Sequence, residues 1–291
     1  MPLIHPEELS SIQSLDLRVK AIVEGFLNGL HKSPHHGFSA EFSEYRNYYP
    51  GDPTKTIDWK VFAKTDKLMI KKFEADTNLT ATILFDISGS MAYGDKTSKL
   101  DYVKNLSSAI SYLLIRQSDS VGVCQFNENL DSFIEPKTGK SQFNRILHSI
   151  DSAEVSGETN LESVFQLLQS KLSKRGLVII FSDFLDEDES FLSQIGTLKK
   201  YGHDVIVFHI MDRSETQLDF DERTKFIDME TNEEFDIHPD SIREKYQEKM
   251  KSYLENLTKQ FYGVGVEYYS VYTDDYYEHH LLEFLNKRAR L

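Results

Sequence analysis

The chain has 291 residues, a formal net charge of −14, 40% hydrophobic and 27% charged residues, and a single cysteine, Cys124. That length suits one large α/β domain with an appendage or two modest domains, and the apolar content excludes long disorder. The acidic balance argues against nucleic-acid or anionic-membrane binding, and the lone cysteine excludes an internal disulfide and fits a reducing compartment.

Residues 3–30 are expected to be helical, because Ile12, Leu15, Val19, Ile22, Val23, Phe26 and Leu30 recur at helical spacing. Ser33-Pro34-His35-His36-Gly37 breaks that pattern, and its histidines are read as polar loop residues. Tyr45, Arg46, Asp52, Asp58, Trp59 and Lys60 then mix aromatics, acids and bases around a Pro-Gly turn. They suit either a small packed β unit, with Arg46 pairing Asp52 or Asp58, or a partner-docking surface. Lys60, Lys64, Lys67, Lys71 and Lys72 form a basic stretch read as a solvated strand edge or a face for an acidic partner.

Thr80–Phe85 is a buried-strand pattern that stops at Asp86-Ile87-Ser88-Gly89-Ser90. Small oxygen-bearing side chains past the end of a central strand sit where open α/β sheets bind ligands. One carboxylate and two hydroxyls suit a hard cation, Mg²⁺, Ca²⁺ or Mn²⁺. Downstream, strands are expected at Val121–Phe126, Leu177–Ser182, Asp204–Ile210 and Val266–Tyr272, with a short antiparallel edge strand at Leu130–Ile134. Helices are expected from Leu100, at Phe143–Ile150, Leu161–Leu172, Phe191–Tyr201, Ile242–Tyr262 and Tyr276–Arg290, with Asp95 or Ser98 capping the first. The polar residues 213–239 read as an inserted hairpin, and His209, inside an apolar run, as a hydrogen-bonded core residue. The alternation implies a mostly parallel sheet with helices on both faces. Residues 1–78 are taken as an accessory region with an N-terminal helix and a small β subdomain, and 79–291 as the main domain.

Asp86-x-Ser88-x-Ser90 after a hydrophobic strand resembles the metal-ion-dependent adhesion site of von Willebrand factor A domains, which implies a Rossmann-like fold. The resemblance implies two further oxygens, for which Thr159 before a helical pattern and Asp183 after a strand stand in order. By the same resemblance Ser88, Ser90 and Thr159 are direct ligands of Mg²⁺. Asp86 and Asp183 act through water or by bonding the hydroxyls, and one position is open to an Asp or Glu of a partner protein. The run from Glu41 through Tyr45-Arg46, Pro50-Gly51-Asp52, Ile57-Asp58-Trp59-Lys60 and Lys64 to Phe73-Glu74 is similar to the bacterial domain-of-unknown-function family fifty-eight. That likeness implies partnership with a MoxR-type AAA+ ATPase and other von Willebrand A proteins, in complex maturation or stress response.

An enzyme is not expected. A haloacid-dehalogenase phosphatase needs a second acid where Ser88 stands, and neither a Gly-x-Ser-x-Gly turn nor a phosphate-binding glycine loop is present. The alternatives are a scaffold with an unoccupied metal site and, behind it, a Mg-dependent phosphohydrolase. No apolar run approaches the roughly 20 residues of a membrane span, and the N-terminus lacks signal-peptide character. A cytoplasmic location is expected, peripheral to the membrane only through partners.

Overall fold

Six stretches rich in β-branched and aromatic residues join in one sheet: β1 Thr80–Asp86, β2 Ser120–Phe126, β3 Leu130–Lys137, β4 Leu177–Ser182, β5 Asp204–Met211 and β6 Glu267–Tyr272. Their spatial order is β3-β2-β1-β4-β5-β6. All neighbours run parallel except β3, which returns antiparallel beside β2 and forms the edge. This is the doubly wound order, whose direction of winding reverses between the first and fourth strands. The computed structural model describes residues 5–32, 45–47, 59–71, 79–94, 96–172, 175–185, 191–218, 220, 224–227 and 234–288.

The chain divides into two units, one of Met1–Gly29 with Leu79–Leu291 and one of Leu30–Asn78. In the larger unit each strand is followed by a helix or a tight turn. The principal helices are α1 Leu15–Lys32, α2 Lys99–Arg116, α3 Lys140–Asp151, α4 Leu161–Lys171, α5 Phe191–Lys200, α6 Arg213–Gln217, α7 Pro239–Gly263 and α8 Tyr277–Arg288. Alternate side chains of the sheet point to opposite faces. Leu84, Cys124, Val178, Ile180, Val207 and Tyr268 pack one face against Val164, Phe165 and Leu168 of α4, Phe191 and Ile195 of α5, and Leu257 and Phe261 of α7. On the other face Phe181 stacks on Phe208 at 5.0 Å, and Phe208 meets His280 of α8 edge-on at 6.4 Å. Tyr277 of α8 stacks on Tyr102 of α2 at 4.5 Å. Cys124 is buried, and burial pushes its thiol up to about 12, so it is a core atom and not a nucleophile.

The N-terminal helix departs from the single span expected over 3–30. A short turn, Pro6–Leu9, is separated from α1, because the Ser10 and Ser11 hydroxyls donate to the Glu7 and Glu8 carbonyls and compete with helical bonding. Lys96 pairs with Glu7, and His5 meets Tyr276 edge-on, so the segment before Gly29 belongs with the large unit rather than with the accessory region. The expected insertion also has more structure than a hairpin. It begins with α6, capped by Asp212 and Glu215, before the antiparallel strands Thr224–Ile227 and Glu234–Ile237. No helix among the described residues is long and apolar enough to cross a membrane.

The smaller unit pairs Tyr45–Asn47 antiparallel with Met69–Lys71 and carries a helix, Trp59–Thr65. Lys60 and Lys64 therefore lie on a helix and not on a strand edge.

Gly122 of β2 lies beside a register shift in the pairing with β3. A Cβ there would sit 2.6 Å from the Ile134 carbonyl oxygen and 2.8 Å from the Pro136 nitrogen. Gly122→Ala is expected to destabilise the protein by about 1–3 kcal/mol, because backbone and not a flexible side chain must move. Urea denaturation measures this, and an unchanged midpoint would mean that the edge strand shifts freely.

Candidate metal centre

The site is built where the winding reverses. β1 ends in Asp86 and β4 is followed by Asp183, and these strands are direct neighbours, with Phe85 opposite Phe181. Both carboxylates therefore project from adjacent strand ends, and both are buried. Asp86 turns the chain by accepting the Ser88 amide on Oδ1 at 2.9 Å, an Asx-type turn. A single 3₁₀ turn, Gly89–Ala92, follows and sets the Ser88 and Ser90 hydroxyls 3.1 Å apart, both buried.

The loop before α4 is stitched onto this turn. The Gly89 amide donates to the Gly157 carbonyl at 3.0 Å, and the Ser156 amide to the Ile87 carbonyl at 2.7 Å. Gly157 makes the bend with φ +72°, a conformation that glycine adopts without strain. Asn127 closes the same loop from β2 by donating to the Ser156 carbonyl at 3.0 Å. Thr159, two residues past Gly157, is half-buried on it. The structure thus brings Asp86, Ser88, Ser90 and Asp183 into one hydrogen-bonded group and lays the Thr159 loop against it.

Asp183 is aimed by its neighbours. Phe184 takes a left-handed backbone, φ 50°, that costs roughly 1–2 kcal/mol. Its fully buried ring is held by Phe191, Phe261 and His209, with centroids at 5.4, 5.5 and 5.7 Å. His209 is the core histidine expected. Burial pushes its ring down to about 4, and the neutral imidazole bonds the Asp183 backbone and the Tyr268 hydroxyl, the latter at 2.6 Å.

Three functional side chains have no counterpart in the sequence reading. Ser182 donates to Asp86 Oδ2 at 2.6 Å and accepts the Phe184 amide at 3.0 Å, tying β1 to the turn after β4. Lys99 is fully buried, and its ammonium donates to Asp183 Oδ2 at 2.7 Å and to Glu215 Oε1 at 2.8 Å. A lysine in the first turn of a helix opposes the helix dipole, and that was the available signal for Lys99. The spacing Asp212-x-x-Glu215, a capping box, was the signal for Glu215.

The charges are unequal. Burial, and then the nearby Asp183 charge, push the Asp86 carboxyl up to about 7 against the bonds from Ser182 and Ser88. Burial acts the same way on Asp183, but the Lys99 ammonium and the Ser90 hydroxyl hold its carboxyl below the usual range. Lys99 is itself raised, since burial is outweighed by its two acids. Among the described residues, no cluster of three or more His, Cys, Asp or Glu has a metal-holding arrangement, so an ion here must draw on hydroxyls. Two acids and neighbouring hydroxyls, with Asp86 lacking an ion-pair partner among the described residues, fit a small hard cation.

Of the other candidate residues, Tyr45 and Arg46 lie on the first strand of the smaller unit and Trp59 and Lys60 on its helix, while Asp52 and Asp58 lie outside the described residues. Trp59 is 58% exposed and touches Phe62 edge-on at 6.1 Å.

The strand order, with acid- and hydroxyl-bearing loops at the reversal point, defines a doubly wound α/β domain of Rossmann-like topology, the topology expected of von Willebrand A domains. Residues 44–255 match the family described as Protein of unknown function DUF58, and the chain belongs to that family. The uncharacterized protein Rv1480 of Mycobacterium tuberculosis is 24% identical over 98% of this chain and 91% of its own length. Uncharacterized protein YeaD of Bacillus subtilis is 23% identical over 56% of this chain and 39% of its own. Among solved structures, BatB from Bacteroides thetaiotaomicron aligns over 73% of this chain and all of its own, at TM-score 0.47 and 15% identity. The VWA domain of SpRpn10 aligns over 47% of this chain and 77% of its own, at TM-score 0.39 and 20% identity. The class assignment rests on the strand order and not on these superpositions.

A raised Asp86 holds a proton in the folded state that the unfolded chain has already lost. Its contribution is therefore full at acid pH and is lost as pH rises toward about 7. In EDTA, Asp86→Asn should gain on the wild type by up to about 1.4 kcal/mol per pH unit between roughly pH 4 and 7, then run parallel to it. Chemical denaturation at pH 5, 6, 7 and 8 decides this, and a variant that loses ground as pH rises contradicts the assigned burial of charge.

Proposed function

We propose that this protein is a metal-dependent protein–protein interaction module. The observation that carries the reading is Asp86, a buried carboxylate without an ion-pair partner among the described residues, set beside the Ser88 and Ser90 hydroxyls at the sheet's reversal point. Ser88, Ser90 and Thr159 would hold Mg²⁺, or Ca²⁺ or Mn²⁺ in its place, with Asp86 and Asp183 balancing its charge and orienting the hydroxyls. When bound, the cation supplies a Lewis-acidic position for a carboxylate oxygen of a partner protein. Ser182 and the Ser88 amide keep Asp86 from rotating away, and Phe184 and His209 fix Asp183.

Binding is favoured over catalysis. Ser88 and Ser90 bond each other and the two carboxylates, and among the described residues neither pairs with a histidine or lysine that would activate a nucleophile. The buried Cys124 and the neutral His209 are likewise committed to the core. The partner proposed is a MoxR-type AAA+ ATPase, for which this chain serves as adaptor in complex maturation or stress response. The exposed Trp59 offers a second anchor on the smaller unit, an aromatic of the kind that dominates interface energetics.

One observation favours a second reading, a scaffold whose metal site stays unoccupied: the Lys99 ammonium already neutralises Asp183. Calorimetric titration with Mg²⁺ separates the two, since the scaffold gives no binding heat.

Ser88→Ala is expected to abolish capture of the partner ATPase in Mg²⁺ and to leave the protein folded, while EDTA does the same to the wild type. Capture from native cells, compared in Mg²⁺ and in EDTA, reads both effects, and equal recovery in all conditions rejects metal-bridged recognition. Trp59→Ala should lower recovery by about tenfold or more if Trp59 is an interface hot spot, without a change in Tm. Retained recovery would confine Trp59 to a packing role.

A further inference from the structure

Lys99 stands where helix electrostatics disfavour a cation. It directly follows the Ser98 N-cap of α2, a position at which the dipole favours acids. It is nevertheless fully buried, and a buried ammonium is costly unless it is well paired. Its partners are Asp183 and Glu215, and the Tyr93 ring lies 5.8 Å away. Glu215 is brought there by the capping box of α6, by the Tyr246 hydroxyl on its carbonyl, and by the Tyr93–Ser214 hydroxyl bond at 2.8 Å beside it. Three separate elements therefore converge on one ammonium at the edge of the candidate metal centre.

We infer that Lys99 is a resident counter-charge of that centre: it holds the Asp183 side together when no divalent ion is bound, and it lowers the affinity for the ion. The inference rests on the metal-binding reading above. Without Lys99, two buried acids at adjacent strand ends would face each other with no cation. With it, Asp183 is neutralised and only Asp86 is left in need. An ion that draws on Asp183 shares that carboxylate with the ammonium and is repelled by it. Occupancy is thereby weakened, and the carboxylate of an arriving protein supplies part of the missing attraction. Ion and partner then bind with positive coupling, each raising the affinity of the other. Lys99 is in these terms a positioning residue and not a ligand.

The test compares the wild type with Lys99→Met/Glu215→Gln, which removes the ammonium without stranding Glu215, and with Lys99→Arg, which keeps the charge. Mg²⁺ and Mn²⁺ are titrated calorimetrically into each full-length protein, and Tm is measured in EDTA and in Mg²⁺. The double variant is expected to bind the ions at least roughly tenfold more tightly. It is also expected to melt lower in EDTA and to gain more Tm from Mg²⁺ than the wild type does, while Lys99→Arg stays near wild-type affinity. If the double variant is unfolded in EDTA, refolding on addition of Mg²⁺ supports the inference, and failure to refold at any Mg²⁺ concentration overturns it. A folded double variant with unchanged or weaker ion affinity also overturns it while leaving the metal reading intact. Absence of ion binding in both proteins removes the metal reading and this inference together.

Discussion

Two carboxylates buried at the ends of neighbouring strands are the constraint around which the large unit is organised. Like charges taken out of water repel and cannot both stay ionised without a cation nearby. Asp183 has the Lys99 ammonium, but among the described residues Asp86 has only hydrogen-bond donors, the Ser88 amide and hydroxyl and the Ser182 hydroxyl. Such an imbalance is a poor solution for stability alone, since apolar residues of similar volume would serve the core better. It suits the cation-binding role proposed for this site.

The doubly wound sheet makes this arrangement accessible. Because winding reverses between β1 and β4, the loops leaving these two strands diverge to opposite faces, and the place between them is where doubly wound sheets bind ligands. Short local devices then line it. An Asx turn directs the serines, a glycine in a left-handed bend brings in the loop of Thr159, and the start of α2 delivers Lys99. The central strands are mostly apolar on both faces, so the buried carboxylates of the sheet gather at the rim.

Much of this was legible in the residues. The apolar run ending at Asp86 and the second one ending at Asp183 are strong strand patterns, and a parallel sheet follows from their alternation with helices. The antiparallel edge strand could be read from the short Asn127–Asn129 turn. What could not be read is long-range pairing. Ser182 looks like the last polar residue of a strand, and only the pairing of β1 with β4 reveals that its hydroxyl reaches Asp86. Lys99 looks like an ordinary helix-surface lysine, because its partners lie 84 and 116 residues further along the chain. Apolar spacing does not show where the early helix is interrupted, because the interruption comes from the Ser10 and Ser11 hydroxyls, which end the local backbone pattern.

Phe184 links the rim to the interior. Its left-handed backbone is tolerated only because its ring is clamped between Phe191 of α5 and Phe261 of α7. The direction in which Asp183 points is thus stored in the oily middle of the molecule, more than in the loop that carries it. A substitution at Phe261, whose ring packs on Phe184 and Tyr268, would loosen the mounting of that carboxylate. Sequence drift in the aromatic interior and retuning of the rim are then a single evolutionary variable, and relatives with repacked interiors need not share the geometry of the rim even where every rim residue is the same.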